Sequence, residues 1–162
     1  MRDITAMGGV ALRNIAALIG ITALVLLHQK RQAAILAMII LSGWLAETAV
    51  KYSVERARPD ILGQLTHAGG PSFPSGHSFN AALVALALTL AFTPFVNTPI
   101  LRKFLVCTAV ALSFLVAFSR VWLGVHYVSD VMAGWLGGTA WALCSAQFFA
   151  TSGPHTATET CE

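Results

Sequence analysis

Five apolar segments, each close to the ~20 residues that an α-helix needs to cross a bilayer, most strongly constrain the fold of this chain. They cover about residues 8–27, 33–52, 77–95, 103–121 and 127–150. Strands outside a closed barrel would leave backbone groups unpaired in lipid, so the segments are expected to be helices. The sequence therefore predicts an all-α fold, a polytopic membrane helix bundle of about five transmembrane helices.

Composition supports a protein that exposes most of its surface to lipid. Hydrophobic residues make up 56% of the 162 residues and charged residues 10%, against roughly 25% charged in soluble domains. The formal charge of +3 is small, and the sequence contains no long basic run. Both observations argue against nucleic-acid binding. No cysteine spacing indicates a metal site. We expect one membrane domain over residues 1–150 and a polar tail over 151–162.

The short turns after the first and third segments are basic, with Lys30-Arg31 in one and Arg102-Lys103 in the other. Cytoplasmic loops of membrane proteins carry an excess of lysine and arginine. Alternating helices then place the long polar stretch 53–76 on the opposite side of the membrane. A site formed by that stretch is expected to face the extracytoplasmic side.

Ionisable and small polar residues collect at helix ends on that same side. They are Lys51 at the end of the second segment, Arg58 in the polar stretch, Ser75, Gly76 and His77 at the start of the third, Arg120 at the end of the fourth, and His126 and Asp130 at the start of the fifth. Singly, each has a structural explanation, since cations snorkel to headgroups and a first-turn carboxylate satisfies a helix dipole. All these explanations must hold together on one face, so a functional site is favoured.

The start of the third segment has the features of an anion cradle. Ser75 is a good N-cap, and Gly76 lets the backbone approach a ligand closely. A helix N-terminus offers free N–H groups to an anion. This short stretch therefore predicts a phosphate-binding site with a histidine, His77, attached.

The start of the fifth segment has the features of an activated nucleophile. His126 and Asp130 are four residues apart, hence on one helical face, where the carboxylate can accept the imidazole Nδ1–H. That contact fixes the tautomer and frees the other nitrogen to attack. The cations Lys51, Arg58 and Arg120 would stabilise the oxygens of a transferring phosphoryl group.

Three stretches match the motifs of a known family. The stretch Lys51–Pro59 fits K-x6-R-P, Pro74–His77 fits P-S-G-H, and Ser119-Arg120 with His126 and Asp130 fits S-R-x5-H-x3-D. Complete and in order, they resemble the type 2 phosphatidic acid phosphatase (PAP2) family, which shares its site with vanadium haloperoxidases. The resemblance extends from about Arg2 to Ala150. Bacterial members usually carry one more membrane helix, so it implies that the first family helix is missing before Arg2.

The resemblance implies a role for each matched residue. His126 would be the nucleophile that forms a phosphohistidine, Asp130 would orient it, and His77 would protonate the leaving lipid oxygen. The phosphoryl oxygens would be held by Lys51, Arg58, Ser75, Gly76 and Arg120. The implied protein is a metal-independent, cofactor-free lipid phosphatase of the bacterial inner membrane. Its implied substrates are undecaprenyl diphosphate, phosphatidic acid and phosphatidylglycerol phosphate.

Two other functions remain open at the level of the sequence. A haloperoxidase with bound vanadate is disfavoured, because those relatives are soluble and larger than this chain. An inactive or transport-type membrane protein of the same fold would use the charges as a permeation path. The charges collect on one side and do not continue across the bilayer, which favours the phosphatase. The sequence sets no oligomeric state.

Overall fold

The structure, a computed structural model, describes residues 9–59 and 69–150, which are helical for most of their length. The α-helices are α1 (Val10–Leu26), α2 (Lys30–Val54), α3 (Gly76–Phe92), α4 (Pro99–Trp122), α5 (Val128–Ser145) and α6 (Gln147–Ala150), and a 3₁₀ helix, Thr93–Phe95, follows α3. Each predicted apolar segment is thus a helix, and the all-α class is confirmed for the described residues. The predicted tail 151–162 lies outside them.

Three helical stretches are long and apolar enough to cross a membrane: Lys30–Val54, Gly76–Phe95 and Pro99–Trp122. Helix α1 has 17 residues, which is short of the ~20 that a bilayer requires. Helix α5 has 18 residues and carries Asp130 and three glycines, which make it less apolar. Against the expected five spanning helices, length and composition therefore identify three within the described ranges.

The outside of the bundle is apolar, as expected of helices that face lipid. Large apolar side chains are exposed on every described α-helix except α3, among them Leu18 of α1, Met38 of α2, Phe104 of α4 and Leu136 of α5. A soluble monomer rarely exposes apolar surface of this extent. Helix α3 contributes none of these side chains, because it lies at the centre of the bundle in contact with α1, α2, α4 and α5.

The closest packing in the bundle joins α3 to α5, and two glycines make it possible. A Cβ on Gly134 would lie 2.5 Å from the carbonyl oxygen of Ser75, and a Cβ on Gly138 would overlap the carbonyl of Phe79. Only a residue without a side chain lets the two backbones approach so closely. This contact holds the start of α5 beside the start of α3, where the predicted site residues lie.

Candidate active site

The predicted site residues meet at one end of the bundle, around a polar cavity of about 360 Å³. Six of the eight line this cavity: Lys51, Arg58, Gly76, His77, Arg120 and His126. They come from the end of α2, the stretch after it, the start of α3, the end of α4 and the loop before α5. The structure therefore brings together side chains that are far apart in the sequence.

The other two predicted residues, Ser75 and Asp130, lie behind the cavity wall and are fully buried. The Ser75 N–H donates to the Asp130 carbonyl at 3.0 Å, which joins the two helix starts. Ser75 holds the N-cap position of α3, as the sequence predicts, although its side chain makes no capping hydrogen bond. Its hydroxyl accepts a hydrogen bond from Ser78 Oγ at 2.9 Å. The side chain of Ser75 therefore leaves the N–H groups of the helix start to an anion.

His126 lies in the loop before α5, and not on the helix as the sequence predicts. The helix begins at Val128, after Tyr127, whose N–H donates to Asp130 Oδ2 at 3.1 Å. Because Asp130 reaches back to this N–H, the helix starts after His126, and the loop brings the imidazole near the carboxylate. His126 Nδ1 lies 3.6 Å from Asp130 Oδ2, which is beyond hydrogen-bond length.

Arg58 contacts the Nε2 edge of the His126 ring. Its Nη1 donates to the Val125 carbonyl at 2.9 Å and lies 3.2 Å from His126 Nε2. Its Nε and Nη2 donate to the carbonyls of Gly70 and Gly69 at 3.0 and 2.8 Å. A guanidinium has no acceptor, so its contact with Nε2 requires a lone pair there. The proton of neutral His126 then belongs on Nδ1, and Nε2 keeps its lone pair.

His126 stays neutral at ordinary pH. Burial lowers its pKa, and the neighbouring Arg58 and Arg120 lower it further, to about 3, although Asp130 acts in the opposite direction. A neutral imidazole keeps the lone pair that an attack on phosphorus requires. The surroundings of His126 thus favour a nucleophile over an imidazolium.

Lys51 is paired with Glu47 one helical turn earlier, at 2.8 Å between Nζ and Oε1. A Cβ on Gly76 would lie 2.9 Å from that carboxylate oxygen and 3.1 Å from the Lys51 nitrogen. Gly76 therefore lets the start of α3 pack directly against the ion pair. The lysine is held at the cavity wall with its charge partly balanced.

Arg120 is a buried cation with an incomplete set of partners. The residue is 3% exposed, and its Nε makes no hydrogen bond to any part of the chain that the structure describes. A buried donor without a partner is costly, so such a group calls for an explanation. An anion in the cavity would supply the missing acceptor. Within residues 9–59 and 69–150, no group of three His, Cys, Asp or Glu could hold a metal ion.

Several residues at the site were not predicted from the sequence. Arg13, Trp44 and Asn80 line the cavity, whereas Arg56 and Ser72 contact Asp130 behind it. Arg13 and Asn80 carried a signal, because each is polar within an apolar segment. Arg56 and Ser72 carried none, since the stretch around them is polar throughout and no spacing shows which side chains turn inward.

Comparison with known proteins now identifies the family. The model of the PAP2 superfamily matches residues 31–154. The chain belongs to the PAP2 superfamily. Among solved structures, the crystal structure of the transmembrane PAP2-type phosphatidylglycerolphosphate phosphatase from Bacillus subtilis matches with a TM-score of 0.84 and 28% identity. That match covers 93% of this chain and 75% of the other. The spanning helices and this transmembrane relative identify a membrane protein.

Curated relatives in the family are named as lipid phosphatases. Phosphatidylglycerophosphatase B of Bacillus subtilis is 40% identical over 93 residues, 56% of this chain and 44% of that protein. Lipid A 1-phosphatase of Rhizobium johnstonii is 34% identical over 71% of this chain and 46% of its own length. Undecaprenyl-diphosphatase of Sulfolobus acidocaldarius is 32% identical over 62% and 47%. The chain thus spans about half the length of the curated relatives it matches.

Proposed function

We propose that the protein is an integral membrane lipid phosphatase that transfers a phosphoryl group from a lipid to His126 and then to water. The observation that carries this proposal is the cavity itself. It is lined by a neutral histidine whose Nε2 keeps a lone pair, and by a buried arginine, Arg120, whose Nε lacks an acceptor among the described residues. A phosphoryl group would satisfy the arginine while meeting the nucleophile.

In the first step, the Nε2 lone pair of His126 forms an N–P bond as the bond between phosphorus and the lipid oxygen breaks. His77 donates a proton to that leaving oxygen, and the product is a dephosphorylated lipid and a phosphohistidine. In the second step, His77 takes a proton from water, whose oxygen attacks phosphorus. The N–P bond breaks, its electron pair returns to Nε2, and inorganic phosphate leaves. One histidine thus serves as acid and then as base.

The cations supply the charge that this transfer requires. Phosphoryl transfer depends mainly on positioning and on electrostatic stabilisation of the equatorial oxygens. Arg58 already touches the nucleophilic nitrogen at 3.2 Å, so it lies where those oxygens would come closest. Lys51 and Arg120 line the same cavity, and the helix start at Gly76 adds backbone N–H donors. With three cations and a helix start, the mechanism needs no metal.

An apolar groove beside the cavity offers room for the lipid chain. It has a volume of about 250 Å³ and is lined by side chains of α1, α3 and α4. Among the described residues, Arg13 alone lines both the groove and the polar cavity. A lipid with its phosphate at His126 would pass Arg13 and lay its chain along the groove.

The substrate class follows from this arrangement and from the named relatives. We propose undecaprenyl diphosphate, phosphatidic acid and phosphatidylglycerol phosphate as the substrates to test first. Lys30-Arg31 and Arg102-Lys103 lie at the opposite ends of α2 and α4 from the cavity. By the positive-inside rule, the cavity would open on the extracytoplasmic face of a bacterial inner membrane.

The test is phosphate release by the detergent-purified protein from these three lipids in the presence of EDTA. The variant His126→Asn should release none. The matched control is His28→Asn, because His28 lies at the other end of the bundle and already has a positive φ, which asparagine tolerates. Phosphate release by His126→Asn would refute the assignment of His126 as the nucleophile. No release from any lipid by the wild-type protein would refute the proposed activity.

A further inference from the structure

The carboxylate of Asp130 accepts hydrogen bonds from three residues other than His126. It is fully buried, and both of its oxygens accept hydrogen bonds. Arg56 Nη1 donates to Oδ1 at 2.8 Å. The Ser72 hydroxyl and the Tyr127 N–H both donate to Oδ2. None of these three donors belongs to the cavity lining, so they form a separate layer behind the nucleophile.

Ser72 lies between Asp130 and His126. Its Oγ is 3.4 Å from His126 Nδ1, closer than the 3.6 Å between that nitrogen and Asp130 Oδ2. The hydroxyl has a single proton, and the hydrogen bond to Asp130 Oδ2 uses it. Towards His126 the hydroxyl therefore presents lone pairs, and it can only accept a hydrogen bond from Nδ1–H. The ring must then carry its proton on Nδ1.

The opposite side of the ring demands the same tautomer. Arg58 donates towards Nε2 at 3.2 Å and can accept nothing. Ser72 and Arg58 therefore hold the two ring nitrogens in complementary states. These contacts come from residues on either side of the ring and reach the same result independently.

Arg56 contacts both Ser72 and Asp130 in this layer. Its carbonyl accepts the Ser72 N–H at 2.7 Å, and its guanidinium holds Asp130. The guanidinium also binds Ser129 Oγ at 2.8 Å and lies 4.2 Å from the centre of the Tyr127 ring. One residue thus fixes the backbone of Ser72 and the side chain that Ser72 contacts.

We propose that Ser72 and Arg56 are positioning residues, in which the Ser72 hydroxyl relays the Asp130 carboxylate to His126 Nδ1 and Arg56 holds both members of that relay in place. Asp130 then acts on the nucleophile through Ser72 and not by direct contact. The kinetic part of this inference rests on the proposed function. The part that concerns the resting imidazole does not.

The variant Ser72→Ala removes the relay and leaves Asp130 within reach of a direct contact. We expect kcat to fall by roughly 10- to 100-fold with little change in KM, which is less than the loss of a group that itself transfers a proton. The control Thr89→Val also removes a hydroxyl that donates to one acceptor, but 13 residues along α3 and roughly 20 Å from the site. It should keep the wild-type kcat.

The side chain of Arg56 is 39% exposed, so its variants should fold even if Ser72→Ala does not. Arg56→Gln should lower kcat with little change in KM. Arg56→Lys keeps the charge beside Asp130 and should recover part of the loss. Arg102→Gln is the control, because Arg102 is an exposed arginine at the other end of the bundle that donates to a backbone carbonyl.

The decisive readout is the hydrogen bond at His126 Nδ1, measured by ¹⁵N NMR of histidine-labelled protein and assigned by the signal lost in His126→Asn. Arg58 contacts Nε2 in every variant, so wild type, Ser72→Ala and Arg56→Gln should all show the Nδ1–H form. The Nδ1 resonance should move in Ser72→Ala and in Arg56→Gln, because the acceptor of the Nδ1–H is lost in the first and displaced in the second. An unchanged Nδ1 resonance in Ser72→Ala, or a wild-type kcat in that variant, would overturn the relay. If the wild type releases no phosphate from any lipid, the proposed function fails, and the Nδ1 resonance still decides the relay.

Discussion

Replacing Arg120 with methionine should raise stability and lower activity in the same protein. In the resting structure the arginine is 3% exposed, and its Nε has no partner among the described residues. A buried donor left unpaired costs about 1–3 kcal/mol. Lys51 and Arg58 line the same cavity and add like charge. Methionine is unbranched and carries no donor, so we expect the free energy of unfolding to rise by about 1–2 kcal/mol.

The same change removes a cation from the transferring phosphoryl group. Loss of one preorganised donor of this kind typically costs about 10²–10³ in kcat. Activity is measured by phosphate release from the best lipid of the panel, and stability by Tm in detergent. Vanadate resembles the pentacoordinate phosphoryl group, so it should raise the Tm of the wild type, by the equivalent of about 2.7 kcal/mol at 100 times its Kd. It should raise the Tm of the variant much less.

Arg102→Met is the matched control, since it removes an exposed arginine from the other end of α4. It should leave kcat and the vanadate response unchanged. Two results would refute the reasoning about Arg120. A near wild-type kcat in Arg120→Met would show that the guanidinium does not act on the phosphoryl group. A lowered Tm would show that it is a structural group with partners in the resting protein.

Three further predictions concern pH, metal and packing. The profile of kcat/KM should show no acid limb near pH 6.5, because burial, Arg58 and Arg120 lower the pKa of His126 to about 3. Unfolded His126 gains a proton below about pH 6.5 and the folded form does not, so stability should fall from pH 6.5 towards 3, and less so in His126→Asn. Activity should persist in EDTA and be inhibited by vanadate; strict dependence on added magnesium would contradict the metal-free mechanism. Gly138→Ala should lower the free energy of unfolding by about 1–3 kcal/mol, because its methyl meets the backbone of Phe79. Gly69→Ala, whose methyl meets open space, should leave Tm unchanged.

The helices and the meeting of their ends could be predicted from the sequence, because lipid imposes a length and a composition on every spanning segment. Once α2, α3 and α4 alternate across the membrane, Lys51, His77 and Arg120 must lie on one side. No contact between side chains is needed for that inference. It depends only on counting apolar residues and noting where each run ends.

The layer of hydrogen bonds behind His126 could not be predicted in this way. Arg56 and Arg58 lie two residues apart in a stretch without helical or strand periodicity, so their directions follow from the packing of other elements. In the structure, Arg58 turns to His126 Nε2, whereas Arg56 turns to Asp130. Ser72 depends in addition on a backbone bond to Arg56 across 16 residues of chain. Such contacts are tertiary, and spacing does not encode them.

The position of His126 shows why helical spacing misled. A separation of four residues predicts two side chains on one helical face. The carboxylate of Asp130 instead accepts the Tyr127 N–H, as a residue in the first turn of a helix often does. That bond makes the helix begin after His126. The imidazole and the carboxylate still approach each other, but at 3.6 Å, which leaves room for Ser72 beside them.

His126 marks a boundary between two kinds of polar environment. Behind it, Asp130 accepts hydrogen bonds at both oxygens, and Arg56 binds Asp130, Ser129 and the face of Tyr127. In front of it, Arg120 Nε lacks an acceptor among the described residues. A fully bonded network resists rearrangement, whereas an incomplete one gains free energy when an anion arrives. The hydrogen bonds behind His126 therefore hold its ring in place, and the unpaired donor of Arg120 lies where the proposed function places a phosphoryl group.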